Sequence, residues 1–182
     1  YAESEDEVID LLQAEGYWEA EDHWQNLGGL ENNFSIVNNQ TISPDRALVE
    51  KLTNGIDQIT ILECLKRGID PEGPDAPKSL KEALELFFGI KNGDLMNLGR
   101  DKWTDLARKI KLISTGTTKN PNFIVYDEGT GQSANTMVET ILSLAATNKF
   151  RIPFTMGQFN QGGSAVLPFC SKKHRLQFIV SK

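Results

Sequence analysis

Hydrophobic and polar positions follow two periods along this chain, and the change from one to the other divides it. Val8, Ile9, Leu11 and Leu12, then Leu48, Leu52, Ile56 and Ile59, then Leu80, Leu84, Phe87 and Phe88 recur three and four apart. That spacing gives a helix one buried stripe. Each run follows a start signal: Ser4 with Glu7 and Ser79 with Glu82 are capping boxes, and Ser43-Pro44 is a hydroxyl cap before proline at the first helical position. Helices are therefore predicted from about 5 to Gly16, from 44 to about Leu65 and from 80 to the Asn92-Gly93 turn, with a proline-rich loop over 68–77. Shorter helices fit 20–27, with Trp24 inward, and 101–110, with Trp103 and Leu106 inward.

Elsewhere the period shortens to two. Residues 33–40, 111–115, 122–126 and 175–180 read as strands, and 116–121 makes a hairpin of the middle pair. A glycine turn follows over 127–131, then a helix over 136–146 carrying Val138, Ile141, Leu142 and Ala145. A buried helix is expected over 164–170. Helices and strands mix without β-α-β alternation, which predicts an α+β fold with a largely antiparallel sheet.

Composition narrows the function. Nineteen Lys and Arg stand against 25 Asp and Glu, a net charge of −6, and no basic stripe offsets it. Non-specific binding to nucleic acid or an anionic membrane is therefore disfavoured as the main role. No apolar run approaches the roughly 20 residues that span a bilayer. Cys64 and Cys170 form no C-x-x-C pair, so a disulfide scaffold or structural zinc is not expected, and a reducing cytoplasm is.

Three sets of residues can carry chemistry. Glu50, Asn54 and Asp57 share a narrow sector of the long helix, opposite Leu48, Leu52 and Ile59. Such a sector can be a solvated face, but its oxygens also suit a hard cation and a water. Asp127-Glu-Gly129-Thr-Gly131 ends a strand, where the glycines allow close backbone approach and the carboxylate can accept from an amino group. Gly157-Gln158-Phe159-Asn-Gln-Gly162-Gly163-Ser164 opens a helical stretch, a setting that favours phosphate, although it is no Walker loop. Alone, the last two sets also describe an ordinary turn and a surface loop. His23 and His174 are not read as site residues, and the three tryptophans are read as packing.

In order, E-x-x-x-N-x-x-D on a helix, D-x-G-x-G after a strand and G-Q-F followed by G-G-S resemble the GHKL or Bergerat-fold ATPases. The last box is most similar to the form in the ninety-kilodalton heat-shock chaperones. The resemblance covers roughly residues 34–182, leaving 1–33 as an N-terminal helical extension and 66–109 as an insertion. It implies a two-layer α/β sandwich with a mixed, mostly antiparallel sheet whose last strands lie beyond Lys182, and a lid over about 132–163. It further implies ATP and Mg²⁺ as cofactors, with Glu50 as general base and Asn54 as magnesium ligand. Asp127 matches the adenine-reading aspartate, and Gly129 and Gly131 the pocket wall. Gly157, Gly162 and Gly163 match lid glycines whose amides meet phosphate, in a nucleotide box with Gln158, Phe159 and Ser164. Asp57 fits the pattern too and is counted with the nucleotide-binding residues, in a supporting place.

The expected function is thus a Mg²⁺-dependent ATPase module, a nucleotide-driven switch in a larger, dimerising protein, cytoplasmic, without membrane or nucleic-acid contacts. Its alternatives are a nucleotide-binding regulatory module without significant turnover and a protein-interaction domain. Two departures stand out: Asn160 replaces a glycine, and Glu128 places a negative charge between Asp127 and Gly129. A downstream basic residue that meets the γ-phosphate in relatives is not in this sequence, so slow turnover is expected.

Overall fold

The computed structural model describes residues 2–26, 43–139, 152–157, 165–170, 173–174 and 176–181. Helix α1 (Glu5–Ala14) starts where its capping box places it: Ser4 Oγ accepts the Glu7 N–H at 3.3 Å, and Glu7 Oε2 accepts the Glu3 N–H at 2.7 Å. The chain leaves α1 through Gly16, at φ 75. Helix α2 (Pro44–Lys66) runs 23 residues from the Ser43-Pro44 start. Helix α3 (Leu80–Phe88) is capped by Ser79, whose Oγ accepts the Glu82 N–H at 3.2 Å, and ends on Gly89 in the left-handed region. Helix α4 (Arg100–Lys109) leads directly into β1 (Ile110–Thr117), which pairs antiparallel with β2 (Asn120–Asp127). A short helix α5 (Ala134–Glu139) follows, giving a mixed helix-and-sheet protein consistent with α+β.

The core sits between α2 and α3. Cys64, Ala76, Ala83, Phe87 and Phe154 are buried together, with Ile61, Ile69, Phe88 and Ile152 packed around them. Phe154 and Phe88 both meet the Phe87 ring edge-on, at 6.4 Å between centroids, the preferred geometry for aromatic pairs. The 66–109 stretch, read as an insertion, therefore supplies much of the core. Helix α2 also lies on both strands of the hairpin. The N-terminal helix rests on the same chain: Thr115 Oγ1 donates to the Glu3 carbonyl at 3.2 Å, the His174 N–H donates to Glu5 Oε1 at 3.1 Å, and Val8 and Ile9 are buried.

Several expectations need correction. Of the 20–27 stretch, the described residues 20–26 hold only a 3₁₀ turn, Glu21–His23, because Glu19, Glu21 and Asp22 leave no apolar stripe. Trp24 is half exposed, its Nε1–H donating to the carbonyls of Tyr17 and Trp18. Trp103 is equally exposed, since α4 buries no residue. The hairpin turn is tighter than read: Gly116 pairs with Pro121 and Thr117 with Asn120, leaving two residues at the tip. In place of a buried helix at 164–170 there is a 3₁₀ turn, Leu167–Phe169, in which Pro168 lacks the N–H a helix would need. Residues 176–180 are not in the sheet; the described residues offer them no partner strand. The 33–40 strand, and the part of the 136–146 helix beyond Glu139, lie outside the described residues. Among these, no helix is long and apolar enough to cross a membrane.

Candidate functional site

One turn in the middle of α2 gathers the site. Glu50 and Asn54 are half-buried on successive turns, and Asp57 is completely buried. The polar sector is therefore no solvated face at its C-terminal end. A solvent-excluded carboxylate needs donors, and Asp57 has them: Oδ1 accepts the Met156 N–H at 2.8 Å and Oδ2 the Gly157 N–H at 2.9 Å. The first and third sets, about a hundred residues apart in sequence, thus meet on one side chain.

The second set docks on the same turn. A Cβ added at Gly55 would lie 3.2 Å from Asp127 Cβ, so the absence of a side chain there lets the end of β2 lie close to α2. Asp127 Oδ1 accepts the Gly129 N–H at 2.9 Å, an Asx turn that holds the carboxylate at the strand end. Gly129 itself is pressed against α2, since a Cβ there would stand 2.4 Å from Gln58 Cβ. Thr130 Oγ1 donates to Gln58 Oε1, and Gly131 takes φ 66, which favours glycine. The Gln132 N–H then donates to Ser181 Oγ at 2.6 Å, joining this turn to the C-terminal stretch.

Glu128 places between Asp127 and Gly129 a charge that has partners of its own. Its carboxylate accepts from the Tyr126 hydroxyl at 3.2 Å and lies 3.6 Å from Lys109 Nζ, while its own N–H donates to the Lys109 carbonyl at 2.9 Å. The charge has a cation of its own at the junction of α4 and β1. Next to Glu50 in sequence, burial pulls the Lys51 ammonium down to about 8, opposed by Cys170 and Glu50. Burial pushes the Cys170 thiol up, Lys51 opposing.

Glu50, Asn54, Asp57, Asp127, Gly129, Gly131 and Gly157 are all described, and Asp57, Asp127, Gly129 and Gly157 lie in direct contact with the α2 turn or belong to it. One expectation for Gly157 changes: its N–H is directed at Asp57, which had no donor of its own to offer and takes this one. Gln158, Phe159, Gly162, Gly163 and Ser164, and with them Asn160, lie outside the described residues. Gly55, Gln58 and Thr130 were not read from the sequence. Gly55 had a signal, a glycine kept in mid-helix despite its cost of about 1 kcal/mol relative to alanine. Gln58 and Thr130 had none, because their pairing needs the fold.

Among the described residues no group of three or more His, Cys, Asp or Glu side chains is placed to hold a metal. A separate open groove of about 330 Å³ lies between α3 and α4, lined by Phe87, Phe88, Gly89, Lys102, Asp105 and Leu106, and shares no residue with this site. The chain matches no protein family, no curated protein and no solved structure.

Proposed function

We propose that the chain is an ATP-binding, Mg²⁺-dependent ATPase module of the GHKL type, serving as a nucleotide-driven switch. The observation that carries this reading is the convergence of three distant segments on α2: Asp127 against Gly55, Gly129 and Thr130 against Gln58, and Met156-Gly157 on Asp57. The finer fold, a two-layer sandwich with a larger mixed sheet beneath α2, belongs to the same proposal, as do the 132–163 lid and association into a dimer.

In this reading Asp127 accepts from the adenine amino group, its turn held against α2 so that base and helix keep a fixed distance. Glu50 orients and deprotonates the attacking water, a role open to a half-buried carboxylate within reach of that water. Asn54 offers an amide oxygen to magnesium, which fits an ion that takes few protein ligands and completes its shell with phosphate and water. Magnesium would supply charge neutralisation at the phosphates.

The test is hydrolysis and binding measured on the same variant. Glu50→Ala should lower turnover by about 10²–10⁴-fold, the usual worth of a general base, while ATP affinity stays within about threefold. Turnover unchanged in Glu50→Ala removes Glu50 from the chemistry. Wild-type protein that binds ATP without turning it over makes the chain a nucleotide-binding regulatory module instead.

A further inference from the structure

We infer that Asp57 is a positioning residue that fixes the main chain where the glycine-rich stretch begins, and is not itself a ligand of nucleotide or magnesium. What that main chain does for the phosphates rests on the nucleotide-site reading above; the clasp itself does not.

Three observations converge. Asp57 is fully buried, and each of its oxygens accepts a main-chain N–H, Oδ1 from Met156 at 2.8 Å and Oδ2 from Gly157 at 2.9 Å. A carboxylate enclosed in that way presents no exposed oxygen to a ligand, whereas Asp127, whose residue is exposed, does. Two residues before the clasp, Phe154 is also fully buried, its ring edge-on to Phe87. The segment 152–157 is thus held twice, by apolar burial at 154 and by charge-assisted hydrogen bonds at 156 and 157.

Both anchor points belong to surroundings built on α2. Phe154 packs in the cluster that contains Cys64, and Asp57 lies seven residues earlier on the same helix, about 10 Å along its axis. The turn that holds Gly157 also holds Asp127 and Gly129, through Gly55 and Gln58. A single rigid helix therefore sets the separation between the base-reading turn and the start of the phosphate-binding stretch. The N–H groups of Met156 and Gly157 point at α2, so Asp57 acts by holding the main chain at 156–157, and those two amides are not directed at phosphate.

The experiment compares Asp57→Asn with wild type on the whole chain. Amide hydrogen exchange is followed at residues 156 and 157, and titrations are run with MgATP and with adenosine. Asp57→Asn keeps the size but turns an NH₂ toward an N–H, so one bond is lost. Exchange should accelerate at least about tenfold at the one of the two amides that faces the NH₂, MgATP should bind about tenfold more weakly, and adenosine should bind as before. Unchanged exchange in a folded Asp57→Asn overturns the clasp. Equal losses for adenosine and MgATP overturn the positioning role, since they mark a general effect on the fold. Should Asp57→Asn not fold, Gly157→Pro removes one donor from the other side and must give the same separation of MgATP from adenosine, or the inference fails. If wild type binds neither ligand, the nucleotide reading is lost, and the exchange rates alone decide the clasp.

Discussion

Lys51 shows how much one residue beside the site depends on its surroundings. Its ammonium is held at about 8 by burial, with Cys170 and Glu50 opposing. Below that pH both folded and unfolded chains carry the proton, and the full cost of burying the charge is present. Between about 8 and 10.5 the unfolded chain holds more protons than the folded one, so stability rises with pH through that window. Denaturant unfolding at about pH 7 and 9.5 should therefore show wild type gaining on the order of 1–2 kcal/mol relative to Lys51→Met, which lacks the titration. Parallel curves for the two proteins would refute the burial argument. Gly129 gives a second test at this scale, because a Cβ there meets Gln58 Cβ at 2.4 Å and neither backbone can yield easily. Gly129→Ala should cost about 1–3 kcal/mol by thermal or denaturant unfolding, as overpacking does. Residue type and spacing single out Glu50, Asn54 and Asp127 in the sequence, and the structure places the first two half-buried on α2 and the third against Gly55. Gln58 and Thr130 were not legible there, since a hydrogen bond across 72 residues leaves no local trace.

At the scale of elements, local chemistry decided where helices begin. Ser4, Ser43 and Ser79 each stand immediately before an observed helix, and two of them accept the N–H three residues on. Ser79→Ala should destabilise the protein by about 1 kcal/mol, because an orphan amide of α3 loses its acceptor. Circular dichroism on heating would show a lower midpoint, and an unchanged midpoint would mean that the cap adds nothing to the packed helix. Helix burial was less legible. Of the stripe read on α2, Ile59 is buried but Leu48, Leu52 and Ile56 are only half-buried, while Ala47, Gly55, Asp57, Thr60 and Cys64 are buried as well. Periodicity reports the apolar side of a helix, but α2 is covered by α3, by the hairpin and by residues 156–157, and only the fold says so. The stretch 176–180 fails for a related reason. Alternation permits a strand, but pairing needs a neighbour, and the described residues hold only β1 and β2 as one sheet.

For the whole molecule, composition indicated a folded mixed protein and the pattern indicated its class, whereas the location of the core needed the structure. Phe154 is the clearest case: it stands alone between Pro153 and Thr155 in sequence, yet it is fully buried against Phe87 and carries the approach to Asp57. Phe154→Ala should cost about 3–5 kcal/mol, as for other buried aromatics, and should loosen the amides of Met156 and Gly157 as well. The central claim, that segments around residues 54–58, 127–131 and 156–157 make one adenine-nucleotide site, is tested most directly by melting wild type and Asp127→Ala with and without MgATP. At about a hundred times the dissociation constant, a ligand of the folded state adds ~2.7 kcal/mol and raises the midpoint of a chain of this size by roughly 5–10 °C. The account predicts that rise for wild type and its loss in Asp127→Ala. No rise in wild type, or the same rise in both, would contradict it.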